Sequence, residues 1–312
     1  NGAQWTGFSN GGYPYEVNDF FTSNFIKYKI TSMTNNTVIV SGYNMAGGSI
    51  VNIPSSVSDC TLTYTVVGIA DYAIGNKAIT SVTIPNTFTY IGKSSFNNCE
   101  LTSLTIPGNV TTIGQSAFSH MASLTSIVLS DGITTIGDYA FSSNGITSIS
   151  IPASVTSIGT GAFAANQFLT NVYSYATTPA TVVHDTSNND SFGSNKSAIN
   201  LHIPTGTTDI YITNPNTGAD WTGFNSVTED GALSTSNFEI QNNVKLISFD
   251  NKIEVKTADN INFQKYTIYS ISGSKAKTGT ENRFSTNTLP AGIYILKLNF
   301  DKGTFTKKIV VQ

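Results

Sequence analysis

The sequence predicts a mainly β protein in two parts, a solenoid of stacked coils followed by a small β-sandwich. Three observations carry this. The phrases "ITSVTIPNTFTYIGKSSF" (79–96), "LTSLTIPGNVTTIGQSAF" (101–118), "LTSIVLSDGITTIGDYAF" (124–141) and "ITSISIPASVTSIGTGAF" (146–163) place a closing aromatic at steps of 22, 23 and 22 residues. From residue 238 that period vanishes and short alternating runs replace it. The charge also reverses: residues 1–237 hold five basic and thirteen acidic side chains (−8) and residues 238–312 eleven and six (+5), which together give the net −3.

A period of 22 residues lies in the range of leucine-rich repeats, and each unit opens with their L-x-x-L-x-L skeleton, as in Leu101, Leu104 and Ile106. Alternating apolar residues there imply a short strand with one buried face. Ile113–Gly114 and Ala117–Phe118 then return the chain and fill the wedge between coils. The recurrent glycines at 92, 114, 137 and 159 either make a tight bend or leave room where backbones approach closely. One coil cannot bury its own apolar edge, so stacked coils must share a core.

"LTSLTIPGNVTTIGQSAF" resembles the BspA-like, Treponema-type class of leucine-rich repeat. Weaker flanking copies, "VVGIADYAI" before and "LTNVYSY" (169–175) and "INLHIP" (199–204) after, extend the resemblance over residues 24–230. The pattern is lost in a polar insertion between the last two. Residues 24–43 alternate around a polar turn and resemble the hairpin that caps the first coil in such proteins. The resemblance implies a surface adhesin or interaction protein contacting host matrix proteins or other bacteria.

"GADWTGF" (218–224) repeats "GAQWTGF" (2–8) at six of seven positions, and the two phrases hold both tryptophans. Trp221 and Phe224 are expected to cover the open end of the last coil after "INLHIP". By analogy residues 1–23 read as the tail of a preceding module, with residues 1–20 loosely held or packed on the first hairpin and chance similarity the alternative. Residues 231–237, "GALSTSN", form a linker.

In residues 238–312 the runs "KIEVK", "YTIYSI", "IYILKLNF" and "FTKKIVV" read as strands, the last two joined at Asp301-Lys302-Gly303. Leu289, Pro290, Ala291 and Gly292, followed by Lys307 and Lys308 at the end of the chain, resemble the motif of the C-terminal sorting domain of the Bacteroidetes type IX secretion system. That resemblance implies recognition by an outer-membrane translocon and release or display at the cell surface. A generic adhesive sandwich is the alternative.

Several function classes are excluded or weakened. Only 11% of residues are charged, against roughly a quarter in ordinary domains. No apolar run approaches the roughly 20 residues of a membrane span, and the start lacks the basic and apolar regions of a signal peptide. The basic tail intersperses its signs and shows no Lys/Arg run, which argues against nucleic acid. Cys60 and Cys99 lack metal-ligand spacing and are expected to be free and buried, with a bond between them the alternative. "GTGAFA" (159–164) mimics a dinucleotide fingerprint but lies inside the repeat, without the βαβ context. His184, Asp185 and Asp190 could be imagined as cation ligands but lack the spacing of a calcium loop. Asp131 and Asp138 occupy variable positions expected to face solvent. No catalytic, cofactor or metal constellation emerges, so a non-enzymatic protein is expected.

The surface left for binding is the strand face. One column of outward residues is expected to hold Ser81, Ser103, Ser126, Ser148 and Asn171, with Asn200 in less certain register. Its neighbour holds Thr83, Thr105, Val128, Ser150, Tyr173 and His202. Ser and Thr also simply suit an exposed strand; Tyr173 and His202 point more directly to a contact. The functional expectation is an adhesin-like binder of a host or bacterial surface protein or glycan. A structural spacer and an accessory protein in polysaccharide capture are the alternatives.

Overall fold

The computed structural model describes residues 16–59, 62–182, 190–213, 221–230, 244–249, 251–257, 261–270, 274–301 and 303–311. The chain divides into two compact units between Gly231 and Ala232. The repeated phrase at 2–8, most of the supposed tail of a preceding module and Cys60 fall outside the described residues.

The first unit opens with an antiparallel meander of Phe20–Ser23, Ile26–Ser32 and Thr37–Tyr43, so the expected hairpin has a third strand in front. Ile26, Tyr28 and Ile30 point inward between the less buried Lys27 and Lys29. Phe21 packs against Tyr28 and Tyr64, with ring centroids 5.4 and 5.6 Å apart. Thr37–Tyr43 then runs parallel to Thr63–Ile69, and the same sheet continues through two-residue strands, one per coil, to Thr181–Val182. The hairpin therefore covers the first coil by lengthening its sheet, and leaves only the short strand Phe20–Ser23 as the edge.

Each coil carries two strands on opposite sides. In the second clear unit they are Ser103–Ile106 and Thr112–Ile113, and Leu101, Leu104, Ile106, Val110, Ile113, Ala117 and Phe118 are all buried between them. Phe96, Phe118, Phe141 and Phe163 stack in a near-parallel column with centroids 5.1 to 5.7 Å apart. The column continues to Phe192, 5.7 Å from Phe163. The polar insertion thus lengthens one coil to a step of 29 residues without ending the array.

Close approach, and not a tight bend, explains the recurrent glycines. A Cβ on Gly92, Gly114 or Gly137 would lie 2.6 to 2.8 Å from backbone of the preceding coil, and none of the four glycines has a left-handed φ. The bends lie two residues on, at Tyr72, Ser94, Ser116, Tyr139 and Gly161, and again four residues later at Asn76, Asn98, His120, Ser143 and Ala165. These positions hold φ between 49° and 60°, mostly without glycine. In "GTGAFA", Gly159 is one of the close approaches and Gly161 one of the bends, so neither cradles a phosphate.

Polar side chains tie coil to coil. Asn144, fully enclosed, accepts the Met121 N–H at 2.9 Å and donates to the carbonyls of Phe118 and Phe141. Asn166 repeats the arrangement one coil on, donating to the carbonyls of Phe141 and Phe163. Cys99 occupies the same place in an earlier coil, three residues after the stacked Phe96; it is free and buried, with Sγ 3.7 Å from the Ile74 carbonyl. Asp131 and Asp138 do not simply face solvent: both are half-buried, and their Oδ1 atoms accept the N–H of Ser154 and Thr160 in the next coil. A variable position can therefore still carry a coil-to-coil bond.

At the far end Trp221 is fully buried and donates Nε1–H to the Ala180 carbonyl at 2.9 Å. Phe224 and Tyr211 pack edge-on against Phe192 and Trp221 respectively. Trp221 does not follow the last strand, as the sequence suggested. A further strand, Ser226–Asp230, comes after it and pairs in parallel with Asn200–Pro204. Its side chains are mostly exposed, so no apolar alternation announced it.

The second unit is a β-sandwich. A three-stranded sheet (Val244–Phe249, Lys252–Thr257, Arg283–Ser285) and a four-stranded sheet (Lys275–Gly279, Phe263–Ser270, Gly292–Phe300, Gly303–Val311) are antiparallel throughout. Val255 and Phe284 of one and Tyr266, Ile268, Leu296 and Leu298 of the other share a core. Tyr266 stacks on Phe284 at 3.7 Å and donates to Glu281 Oε1. Phe300 pairs with Gly303, so the last two strands form a hairpin. The Asp301 carboxylate accepts from the backbone and side-chain amides of Asn262, pinning that hairpin to the neighbouring strand.

Candidate binding face

The outward strands of the solenoid form three separate ladders, each in register, with no strand pairing between Thr83 and Ser103 or between Leu129 and Ser148. Ser81 and Thr83 lie beside Ile50 and Asn52 of the preceding coil. Ser103 and Thr105 pair with Ser126 and Val128. Ser148 and Ser150 pair with Asn171 and Tyr173, and these with Asn200 and His202, which fixes the register of Asn200. Ser226 and Thr228 complete the two columns. Ser81, Thr83, Ser103, Thr105, Ser126 and Ser148 are exposed; Val128, Ser150, Asn171, Tyr173 and His202 are half-buried.

Four of these positions were missed from sequence. For Ile50 and Asn52 a signal existed, since Ile53–Pro54 repeats the Ile–Pro pair that ends later strands at 84–85 and 106–107. For Ser226 and Thr228 none did, because that strand has little apolar alternation.

The two columns differ in relief. Five coils present only Ile, Ser, Thr, Val or Asn, and then Tyr173 and His202 rise together. Their rings stack with centroids 4.4 Å apart and 20° between planes. The His202 Nε2 lies 3.3 Å from Asn171 Oδ1, which also receives Asn200 Nδ2. Asn200 Oδ1 in turn accepts from Asn225 Nδ2 at 2.8 Å and Ser226 Oγ at 2.9 Å. A chain of amides thus braces the aromatic pair and orders this end of the face. Beneath it Tyr175 is buried against the Ser150 hydroxyl, and burial pushes its phenol up to about 12. It is a structural neighbour, not a titrating group near neutrality.

The suggested cation ligands do not assemble from what is described. His184 and Asp185 lie outside the described residues. Asp190 is committed to the fold: its carboxylate accepts the N–H groups of Phe192 and Gly193 and pairs with Lys196 Nζ at 2.8 Å. That ammonium also sits 5.0 Å from the Phe224 ring centroid, so the insertion ends in a brace for the closing aromatics.

In the second unit Leu289 packs against the sandwich core, and Pro290 accepts a hydrogen bond from the Tyr294 hydroxyl at 3.0 Å. Gly292 opens the strand that pairs with the last one. Lys307 is exposed, and the Lys308 side chain lies outside what is described. Among the described residues no helix is long and apolar enough to cross a membrane.

Residues 52–173 match the BspA type leucine rich repeat region, in six copies. Residues 242–312 match the secretion system C-terminal sorting domain. No curated protein shows significant similarity to the chain. Among solved structures it is similar to a leucine rich cell surface protein of Faecalibacterium prausnitzii, at 19% identity and a TM-score of 0.33, covering 71% of this chain and 80% of that one. A leucine-rich repeat protein of Bacteroides capillosus is similar at 23% identity and a TM-score of 0.33, covering 50% and 97%. The pneumococcal vaccine antigen PcpA is similar at 13% identity and a TM-score of 0.33, covering 70% and 87%. The sorting domain marks the protein for type IX secretion to the cell surface or beyond, in a Bacteroidetes-type bacterium. The chain thus carries a BspA type leucine-rich repeat region and, behind it, a secretion system C-terminal sorting domain.

Proposed function

We propose that this surface-exposed repeat protein is a non-enzymatic, adhesin-like binder that engages a protein or glycan through the strand face. The observation that carries the reading is the stacked Tyr173–His202 pair, standing half-exposed on an otherwise low, in-register polar face. Such a rigid aromatic pair loses little conformational entropy when a partner covers it, as an anchor should. Most of the remaining columns contribute shape and hydroxyls.

The test is binding of the full chain to intact host or bacterial cells and to immobilised matrix proteins and glycans. Replacing both Tyr173 and His202 with Ala should weaken capture by about tenfold or more. Unchanged capture would remove the strand face from the mechanism, and no capture by any surface would favour a spacer. In the second unit we assign recognition by the secretion translocon to Leu289, Pro290, Ala291 and Gly292 together with Lys307 and Lys308. Their support is position: they enter and line the terminal hairpin of the sandwich.

A further inference from the structure

We infer that the occupant of the strand face is an uncharged glycan strand, laid along the solenoid axis and stacked at one end on the ring of Tyr173. The inference rests on the strand-face reading above and names the chemical class of its ligand.

The first argument is charge. From Ile50 and Asn52 to Ser226 and Thr228, not one position of the two columns is Asp, Glu, Lys or Arg. The flanking positions Thr80, Thr102, Thr125, Thr147 and Thr170 are exposed and uncharged as well. Protein partners are steered and selected largely by charge complementarity; the two columns offer none, and the charges of the front strands stand at one end, Glu229 and Asp230 of the last strand. What it offers is a lattice of hydroxyls and amides, which can donate and accept at the same place. Sugar hydroxyls have that same double character.

The second argument is relief. His202 covers one face of the Tyr173 ring, and the neighbour on the other side in the column is Ser150, too short to cover a phenol. Tyr173 therefore stands as a wall at the end of a low floor formed by Ser148, Ser150 and the coils before them. A pyranose presents polarised C–H groups on one face, which suit the negative face of an aromatic ring. Its rim hydroxyls would meet the floor. Within the ladder from Ser148 to Thr228, paired strands are about 4.8 Å apart, comparable to the rise of one sugar along a pyranose chain, so successive sugars would meet successive coils there.

The third argument is preorganisation. The amide chain through Asn171, Asn200 and Asn225 holds His202 behind Tyr173, so the wall does not have to be ordered on binding.

The test is affinity electrophoresis of the full chain through gels containing dextran, mannan, xylan or laminarin, with heparin as a charged control. The inference expects retardation by at least one neutral polysaccharide, changed less than about twofold between roughly 0.05 and 0.5 M NaCl, because no charges are screened. Tyr173→Ala should weaken it about tenfold, Tyr173→Phe should retain it, and Ser148→Lys, an exposed substitution, should weaken it by obstructing the floor. Unchanged melting temperatures would separate these effects from misfolding. Retardation by heparin alone, loss of retardation in salt, or retention by Tyr173→Ala would overturn the inference. If a matrix protein binds and Tyr173→Ala abolishes that binding, the strand-face reading stands and the glycan is wrong. If no probe of either kind binds, both fall.

Discussion

Asn166 accepts the backbone N–H of Asn144 through Oδ1 at 3.0 Å, and Asn144 does the same for Met121 one coil earlier. Each asparagine also spends its Nδ2 on two buried carbonyls, and the Phe141 carbonyl receives both side chains. Replacing Asn144 with Leu would leave the Met121 N–H and the Phe118 C=O unsatisfied at once, while the Phe141 carbonyl keeps its bond from Asn166. The expected loss is about 2 kcal/mol or more, since each orphaned buried group costs about 1–3 kcal/mol. Urea unfolding of the isolated solenoid variant would measure it, and a loss under about 1 kcal/mol would mean water replaces the side chain.

Phe118 is fully buried between two stacked neighbours. Truncation to Ala should cost about 3–5 kcal/mol, the range for a core aromatic. An unchanged midpoint in the same denaturation experiment would remove the column of rings from the core.

The left-handed residues permit a change in the opposite direction. Ala165 has φ 57° and its side chain is exposed, so Ala165→Gly removes strain without removing packing. Release of the left-handed penalty, about 1–2 kcal/mol, exceeds the added backbone entropy of glycine, about 0.5–1 kcal/mol. A small rise in melting temperature is expected. Gly114→Ala should do the reverse by about 1–3 kcal/mol, because the new Cβ would meet backbone of the previous coil at 2.7 Å; a neutral result there would contradict the close approach.

Much of this architecture was legible in sequence, for a physical reason. Where the repeat keeps phase, one aromatic, one alanine and five larger aliphatic positions per coil point inward, as at 101–118, 124–141 and 146–163, and the period alone places Phe96 to Phe163 and the columns from Ser81 to Tyr173. Phe192 escaped because its coil is longer, although Ser191–Phe192 echoes Ser95–Phe96. The asparagines escaped because Cys99 and Met121 stand at the equivalent place in earlier coils. The bends escaped because Ser, Tyr, His and Ala occupy conformations usually left to glycine. In each case tertiary context overrides the local preference that a single sequence displays.

Alkali should unfold the solenoid in a defined window. Burial raises the phenols of Tyr175 and Tyr211 to about 12, with hydrogen bonds from Ser150 and Ser174 partly opposing the rise. In the unfolded chain a phenol ionises near 10. The folded state thus holds more protons between pH 10 and 12, so its stability is fully present below 10 and falls as pH climbs towards 12. Denaturation midpoints measured across pH 8 to 12 should show that decline, less steeply in Tyr211→Phe; a flat profile would contradict it.

Deleting residues 289–312 removes the two longest strands of the four-stranded sheet. The product should be retained in the periplasm, as fractionation of the producing cells would show. Normal export of the deleted protein would separate secretion from this hairpin.

The lengthened coil has one more consequence. Its extra residues enter between the back strand Thr181–Val182 and the stacked Phe192, while Tyr173 and His202 on the front remain directly paired. The front pairing of Asn171–Tyr173 with Asn200–His202 is thereby unbroken by the added length. Relatives that gain or lose residues at this point would keep the same strand face, so two genes of different size could display an identical front to the outside world.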